Sequence, residues 1–192
     1  MKTLRDQKRL AVQREATARA VELFGEHGYD AVTVDQLAAA AGMSRRTFFR
    51  YFASKDELIV GKWELIGRDI TEALCARPSN EPTWEALRRA FDVVVEHYAD
   101  PVRRANSLRL DAIVLNHPTL RAAYLLKIND IARTCADIVR RRDGYAANDP
   151  LPYVIANAAG ACLMSAMAAT LADRPDEFAD EIDALMARVR IG

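Results

Sequence analysis

Residues 33–57 read TVDQLAAAAGMSRRTFFRYFASKDE, and this stretch decides the fold. The apolar positions of its first part follow helical spacing, which predicts a short helix with one buried face: Val34, Leu37, Ala38 and Ala41. Gly42 ends that helix, because glycine tolerates the left-handed backbone of a sharp exit. A second short helix follows from Arg45. Two short helices joined by a tight glycine turn predict a helix-turn-helix, whose second helix is shaped to enter a major groove.

Capping patterns mark where these helices begin. Thr33 with Gln36, and Ser54 with Glu57, have the spacing of a capping box, in which each side chain bonds the other residue's backbone N–H. Ser44 stands directly before the second helix and can cap it. The pattern therefore predicts three helix starts within 25 residues of sequence.

Positive charge is concentrated on the predicted second helix. Between Gly42 and Lys55 there are four cations and no acid: Arg45, Arg46, Arg50 and Lys55. A basic helix beside a capped helix start is a phosphate-seeking surface. The plain alternative is a solvated helical hairpin whose arginines only keep it soluble.

The charge distribution favours nucleic acid more than the net charge does. The chain has 27 Lys and Arg and 27 Asp and Glu, so the formal net charge is zero. Residues 1–60 hold ten cations and eight acids, and residues 1–14 hold five cations and one acid. This pattern predicts a small DNA-reading head on a neutral body. The arm at residues 1–8 is expected to be disordered without DNA, where it contacts phosphates or a minor groove, or else it is a solubilising tail.

Helical signals continue along the rest of the chain. Apolar spacing and Pro, Gly or Asp boundaries predict further helices, over residues 9–27, 55–76, 83–99, 102–116, 117–142, 150–172 and 176–190. Strand and hairpin signals are absent from the sequence. The predicted fold class is therefore all-α, with a helix-turn-helix domain at residues 1–54 and a helical body at residues 55–192.

Other classes of protein find little support in the sequence. No apolar run approaches the roughly 20 residues of a membrane span, and no hydrophobic signal core stands at the N-terminus, so a cytoplasmic protein is expected. The three cysteines are widely spaced and are expected to be reduced. His27, His97 and His117 are scattered, and no phosphate-loop or nucleophile motif appears, so no catalytic residue, metal or cofactor is predicted. A small all-α enzyme or a helical protein-interaction adaptor, each with a non-functional head, remains an alternative.

The head resembles the TetR-type transcriptional repressors over about the first 60 residues. The family pattern is matched at the following positions: Leu23, Phe24, Gly28, Tyr29, Thr33, Val34, Leu37, Ala38, Ala41, Gly42, Ser44, Phe52, Ser54, Lys55, Glu57 and Leu58. The segments RRTFFRYFASKD and NHPTLRA further resemble an actinobacterial subgroup that includes the mycofactocin-system repressors. The resemblance implies a DNA-binding, ligand-responsive regulator that binds a palindromic operator as a homodimer.

The same resemblance implies a set of DNA contacts: Thr33, Ser44, Arg45, Arg46, Thr47, Phe49, Tyr51 and Lys55. Arg45 and Arg46 suit bidentate pairing with guanine, and Thr47 is a further base reader. Thr33, Tyr51 and Lys55 suit phosphates. The family usually has tyrosine where this chain has Phe49, which cannot donate a hydrogen bond, and Arg50 is expected to face solvent.

For the body, the resemblance implies a dimer interface and an effector pocket. The last two helices are the candidates for dimerisation, with an internal core as the alternative. By residue type, the candidates for the pocket wall are Trp63, Phe91, Tyr98, Leu108, Asp111, Tyr124, Ile128, Asn157 and Met164. Plain core is the alternative for each of them. A hydrophobic or acyl-type effector is expected for an apolar pocket.

Overall fold

The computed structural model describes residues 4–189, apart from the side chains of residues 5–7 and 10. Ten α-helices follow one another in this part of the chain, which contains no strand: α1 (Leu4–His27), α2 (Val34–Ala40), α3 (Arg45–Tyr51), α4 (Lys55–Cys75), α5 (Thr83–Ala90), α6 (Asp92–Ala99), α7 (Pro101–Asn116), α8 (Pro118–Asp143), α9 (Leu151–Thr170) and α10 (Phe178–Arg188). A 3₁₀ turn at Pro175–Glu177 leads into α10. The all-α prediction is confirmed.

Helices α1, α2 and α3 form the head, in which α2 packs against both α1 and α3. Gly28 and Gly42 end α1 and α2 with φ angles of +79° and +64°, the left-handed conformation expected at both exits. The predicted arm at residues 1–8 needs correction, because α1 begins at Leu4. Residues 1–3 lie outside the described part of the chain.

All three predicted caps are present. The Thr33 hydroxyl accepts from the Gln36 backbone N–H (3.3 Å), and the Gln36 side chain accepts from the Thr33 N–H (2.8 Å). Ser44 Oγ accepts from the Thr47 N–H at 3.1 Å, and Ser54 Oγ accepts from the N–H of residue 57 at 3.0 Å. These bonds satisfy backbone donors that a helix start otherwise leaves without a partner.

The chain divides into two compact units. The first contains the chain up to Lys62 together with Ala105–Tyr124, and the second contains Trp63–Arg104 together with the chain from Leu125 onward. The division predicted at residue 54 follows chain order, whereas the first unit also takes in most of α7 and the start of α8. Helix α4 supplies residues to both units.

In the second unit, the helix predicted over residues 83–99 is two helices that meet at Phe91. The Phe91 carbonyl accepts from the N–H groups of Val94 (2.9 Å) and Val95 (3.1 Å), and the Phe91 N–H donates to Arg88. Helix α10 packs against α5, α6 and α9. Its residues Phe178 and Ile182 are 2% and 0% exposed, so these candidates for dimer contacts belong to the core of the unit instead.

Helix α9 is the most apolar helix of the described chain. With a mean hydropathy of 1.4 over its most apolar window, Leu151–Thr170 could cross a membrane by length and composition alone, which corrects the expectation that no such run exists. One side of α9 packs against α5 and α10, and Ala159, Ala166 and Thr170 on that side are fully buried. Close packing on this side requires small apolar residues, and such residues also give the helix the composition of a membrane span.

Candidate functional site

The second helix of the helix-turn-helix, α3, has one buried side and one exposed side. Phe48 and Phe52 are 0% and 4% exposed, and their ring centroids lie 5.1 Å apart in the core of the head. Arg45, Arg46 and Phe49 are exposed, as is Arg50. The core pair therefore holds α3 so that its cations face outward.

The exposed arginines differ in what they contact. Arg45 Nη1 donates to Asp35 Oδ2 on α2 at 2.9 Å, and its guanidinium carbon lies 5.6 Å from the centre of the Phe49 ring. The Arg50 guanidinium lies 5.3 Å from the Tyr51 ring. Within the described part of the chain, Arg46 makes neither an ion pair nor a hydrogen bond through its side chain. Arg46 and Arg50 thus keep all their N–H donors available, whereas Arg45 has one engaged with Asp35.

The predicted phosphate contacts are already engaged within the head. The Lys55 ammonium donates to the carbonyls of Tyr29 (2.8 Å) and Val32 (3.0 Å) and lies 4.0 Å from the centre of the Tyr29 ring. The Thr33 hydroxyl bonds the Gln36 side chain at 2.9 Å. Because an ammonium has three N–H donors, Lys55 keeps one for a phosphate, and its larger role is to hold the loop between α1 and α2.

The three remaining predicted contacts, Ser44, Thr47 and Tyr51, also take part in local bonds. Ser44 Oγ donates to Thr47 Oγ1 at 3.0 Å, which orients both hydroxyls at the start of α3. Tyr51 is half-buried, and its carbonyl accepts from Gln13 Nε2 at 3.2 Å, which ties α3 to α1. These bonds stabilise the recognition surface before any ligand arrives.

A cluster that the sequence did not reveal surrounds Tyr29. The Tyr29 hydroxyl donates to Asp56, and burial together with this carboxylate raises the pKa of the phenol. His117, between α7 and α8, stacks edge-on against the Tyr29 ring with centroids 4.8 Å apart, and its Nε2 lies 3.1 Å from the Asp30 carboxylate. The 87-residue separation of Asp30 and His117 explains why no local pattern predicted the contact.

An apolar cavity of about 260 Å³ lies within the second unit. It is lined by side chains of α4, α5, α6, α8 and α9 and of the α5–α6 junction: Trp63, Ile66, Ile70, Leu87, Phe91, Val94, Ile128, Ile131, Ala132, Cys135, Ala156, Asn157, Gly160, Ala161, Leu163, Met164 and Met167. Its polar groups are few, namely the Asn157 amide, the Trp63 indole N–H and the Cys135 thiol. Burial raises the pKa of this thiol to about 12, so the cavity wall carries no charge at neutral pH.

Five of the nine predicted pocket residues line this cavity: Trp63, Phe91, Ile128, Asn157 and Met164. The other four do not. Tyr98 is 1% exposed and packs edge-on against Phe178, while Leu108, Asp111 and Tyr124 belong to the first unit. These four residues were predicted from residue type alone. Whether an apolar residue lines the cavity or fills the core depends on which way its face of the helix points. The spacing of Ile66 and Ile70 with Trp63 on α4 was the one signal that could have extended the set.

Asp111 takes part in a mostly buried ion pair instead of a ligand pocket. Lys62 Nζ lies 2.5 Å from Asp111 Oδ1 and donates to the Ser107 carbonyl at 3.1 Å. Desolvation by burial is the largest influence on Lys62 and lowers its pKa. Tyr124 has its pKa raised to about 12 by burial and then by the charge of Asp111. This cluster joins α4 to α7 within the first unit.

Comparison with known proteins covers both parts of the chain. Residues 16–60 match the family described as bacterial regulatory proteins of the tetR family, and residues 81–192 match the MftR C-terminal domain. The chain is 32% identical to the HTH-type transcriptional regulator TcmR of Streptomyces glaucescens over 150 residues, which is 76% of this chain and 66% of that protein. It is also 32% identical to the putative mycofactocin biosynthesis regulator MftR of Mycobacterium tuberculosis, over 71% of this chain and 68% of that one. The aligned part thus spans about two thirds of each relative's length.

The fold has a counterpart among solved structures. The TetR-family repressor FadR of Thermus thermophilus superposes with a TM-score of 0.60 at 21% identity, covering 94% of this chain and 97% of that one. The two domain matches and the helix-turn-helix geometry point to the same conclusion. The chain belongs to the TetR family and is a DNA-binding transcriptional regulator, not an enzyme.

Proposed function

We propose that the protein is a repressor that binds a palindromic operator as a homodimer and leaves it when an uncharged, apolar effector fills the cavity of the second unit. The observation that carries the proposal is the pairing of two features. One is the set of exposed arginines on α3, and the other is an apolar cavity whose lining includes residues of α4.

Sequence reading is assigned to Arg46 and Arg45. Arginine presents a fork of donors that matches O6 and N7 of guanine in the major groove. Arg46 has its full donor set available, and Arg45 keeps its Nε and Nη2 edge while Nη1 bonds Asp35. Thr47 and Phe49 lie on the same short helix, where the Phe49 ring suits a thymine methyl group.

Positioning on the backbone is assigned to Thr33, Ser44, Tyr51 and the third N–H of Lys55. Such contacts fix register and carry no sequence information of their own. Because Thr33 and Ser44 already bond within the head, their contacts to phosphate come at the cost of internal bonds. We therefore expect Tyr51 to contribute more of the phosphate affinity than Thr33, and the cations Arg50 and Lys55 to supply the salt-dependent part.

Dimerisation is assigned to the exposed side of α9 together with the residues of α10 that are not buried. Exposed small residues lie along α9 and just after its end: Ser165, Ala168, Ala169 and Ala172. Small side chains allow two helix backbones to approach closely, and a twofold dimer brings two heads to two half-sites. In an ultracentrifugation assay Ala168→Arg should shift the protein toward monomer, whereas Ala146→Arg in the loop after α8 should leave the dimer intact.

The effector is assigned from the chemistry of the cavity wall. The wall has no charged group, so a charged ligand atom would lose its hydration there without compensation. An acyl chain or a compact apolar molecule fits this wall, and the FadR structure from Thermus thermophilus was solved with lauroyl-CoA. Helix α4 is the proposed relay, because it places Leu58 and Ile59 in the core of the first unit and Trp63 and Ile66 at the cavity.

The experiment is selection of bound duplexes from a random pool, followed by titration of the selected operator with and without effector. We expect an inverted repeat whose affinity falls steeply with salt, because phosphate binding releases counterions. Arg46→Ala should relax the preference at one base of each half-site. If Arg46→Ala weakens every duplex equally, the base-reading role is wrong.

Effector coupling has its own measurement. An uncharged acyl ester that binds the protein should lower operator affinity, since a ligand shifts an equilibrium only by its differential affinity for the two states. Leu163→Trp, which fills the cavity, should abolish the response and leave operator binding intact. Unchanged operator affinity at saturating ligand would refute the coupling.

A further inference from the structure

Asp35 is an exposed acid that lies beside the surface assigned to DNA. It occupies the first turn of α2, and its carboxylate accepts a hydrogen bond from Arg45 at the start of α3. A carboxylate near a DNA backbone repels the phosphates, so it weakens binding to every duplex unless it serves another purpose. The position of Asp35 therefore calls for a physical reason.

Stability supplies only a small part of that reason, since an exposed acid in the first turn of a helix gains less than about 1 kcal/mol from the helix dipole. The side chains of Arg45 and Asp35 are 61% and 65% exposed, and ion pairs this exposed contribute little to folding because water and salt screen them. The α2 cap is provided by Thr33 and Gln36 without help from Asp35. The main effect of the pair is on the position of the Arg45 guanidinium.

Two contacts hold this guanidinium in place. Asp35 Oδ2 lies 2.9 Å from Nη1, and the Phe49 ring lies below the guanidinium with 5.6 Å from its centre to Cζ. The Phe49 ring in turn packs edge-on against the buried Phe48, with centroids 5.7 Å apart. A long side chain that would otherwise sample many rotamers is thus restrained from α2 and from α3.

The restraint leaves the reading edge of the arginine intact. A guanidinium has two two-donor edges, one formed by Nη1 with Nη2 and the other by Nε with Nη2. Asp35 takes a donor from Nη1, so the Nε and Nη2 edge remains complete for the O6 and N7 atoms of a guanine. Restraining an arginine in advance reduces the entropy lost when it binds its base.

We propose that Asp35 is a positioning residue for sequence recognition, which holds Arg45 against Phe49 so that Arg45 selects one guanine in each half-site. The proposal rests on the DNA-reading function described above. It also accounts for Phe49, where the family pattern has tyrosine, because here the ring supports an arginine instead of bonding a phosphate. The acid lowers affinity for all DNA slightly and raises the discrimination between sequences.

The test is a double-mutant cycle read out as base preference. The wild type, Asp35→Asn, Arg45→Ala, the double variant and Glu26→Gln each select duplexes from a random pool, and the preference is compared position by position. Glu26→Gln is the matched control, since it removes an exposed acid of the same head that contacts His27 and not α3. Asp35→Asn is nearly isosteric and exposed, so its thermal unfolding midpoint should equal that of the wild type.

We expect Asp35→Asn to lose about tenfold of the preference for one guanine, within the range of one bidentate arginine–guanine pair. It should also bind unselected duplexes more tightly than the wild type does. Arg45→Ala should lose the preference for the same guanine. Adding Asp35→Asn to that variant should not change the base preference further.

Three outcomes separate the possible failures. If Asp35→Asn keeps the wild-type preference, as Glu26→Gln should, the positioning role is overturned and the DNA-reading function stands. If Asp35→Asn changes the preference equally in the Arg45→Ala background, Asp35 acts without Arg45 and the proposal is likewise overturned. If the wild type selects no duplex, the DNA-reading function itself fails.

Discussion

Replacing Lys62 by methionine tests how the first unit is held together. In the structure the Lys62 ammonium bonds Asp111 Oδ1 at 2.5 Å and the Ser107 carbonyl at 3.1 Å. The side chains of Lys62 and Asp111 are only 10% and 22% exposed. Methionine keeps the aliphatic volume of lysine and removes the charge, so the Asp111 carboxylate loses this cation in a poorly hydrated place.

The size of the effect follows from burial. Removing one partner of a buried ion pair costs about 3–5 kcal/mol, and the partial exposure of Asp111 favours the lower end of that range. For a chain of this length 1 kcal/mol corresponds to roughly 2–4 °C, so a loss of about 3 kcal/mol lowers the unfolding midpoint by about 6–12 °C. The lowered pKa of Lys62 indicates that desolvation outweighs the attraction to Asp111. The double variant Lys62→Met/Asp111→Leu should therefore recover most of the loss.

The assay is thermal unfolding followed by circular dichroism at one fixed protein concentration, because a dimer's stability depends on concentration. Lys127→Met is the matched control: Lys127 Nζ lies 2.7 Å from Glu64, whose side chain is 63% exposed, so this pair should contribute less than about 1 kcal/mol. Equal midpoints for Lys62→Met and Lys127→Met would refute the argument from burial. A double variant as unstable as Lys62→Met would refute the argument from desolvation.

Three further predictions concern the cavity wall and the head. Burial raises the pKa of Cys135 from 9.0 to about 12. The stability that the buried, protonated thiol contributes is therefore fully present below about pH 9 and is lost as the pH rises toward 12. In urea unfolding at pH 8–11, Cys135→Ala should flatten this loss by up to about 1.4 kcal/mol per pH unit. Phe52→Ala should cost roughly 3–5 kcal/mol through the cavity it leaves beneath α3, and amide hydrogen exchange should show the loss of protection in the head; protection equal to that of the wild type would contradict it. Gly67→Ala places a Cβ too close to Ile131 Cγ1, so Ile131, which lines the cavity, must shift, and the affinity for a fluorescent acyl ester should fall. Gly25→Ala, whose Cβ meets nothing within 4 Å, should leave that affinity unchanged.

Local sequence patterns are sufficient to predict the head and the helical class. Capping boxes, glycine exits and the apolar spacing of α2 involve residues only three or four positions apart. The local sequence is therefore enough to predict these features. Phe48 and Phe52, four residues apart at the end of α3, are buried in accordance with the same local spacing. Helix ends agreed within a few residues except at α1, which starts earlier, and at Phe91, where one predicted helix is two.

The contacts between side chains of different helices depend on the tertiary fold. Asp35 lies ten residues from Arg45, and Lys62 lies 49 residues from Asp111, and no periodicity encodes such contacts. The family resemblance predicts a phosphate contact for Lys55, while the fold directs its ammonium to two loop carbonyls. The cavity is the clearest case, because a helix face that lines a void and one that fills a core have the same apolar pattern. Only the packing of five helices leaves the space between them, and that space is a property of their arrangement and not of any one segment.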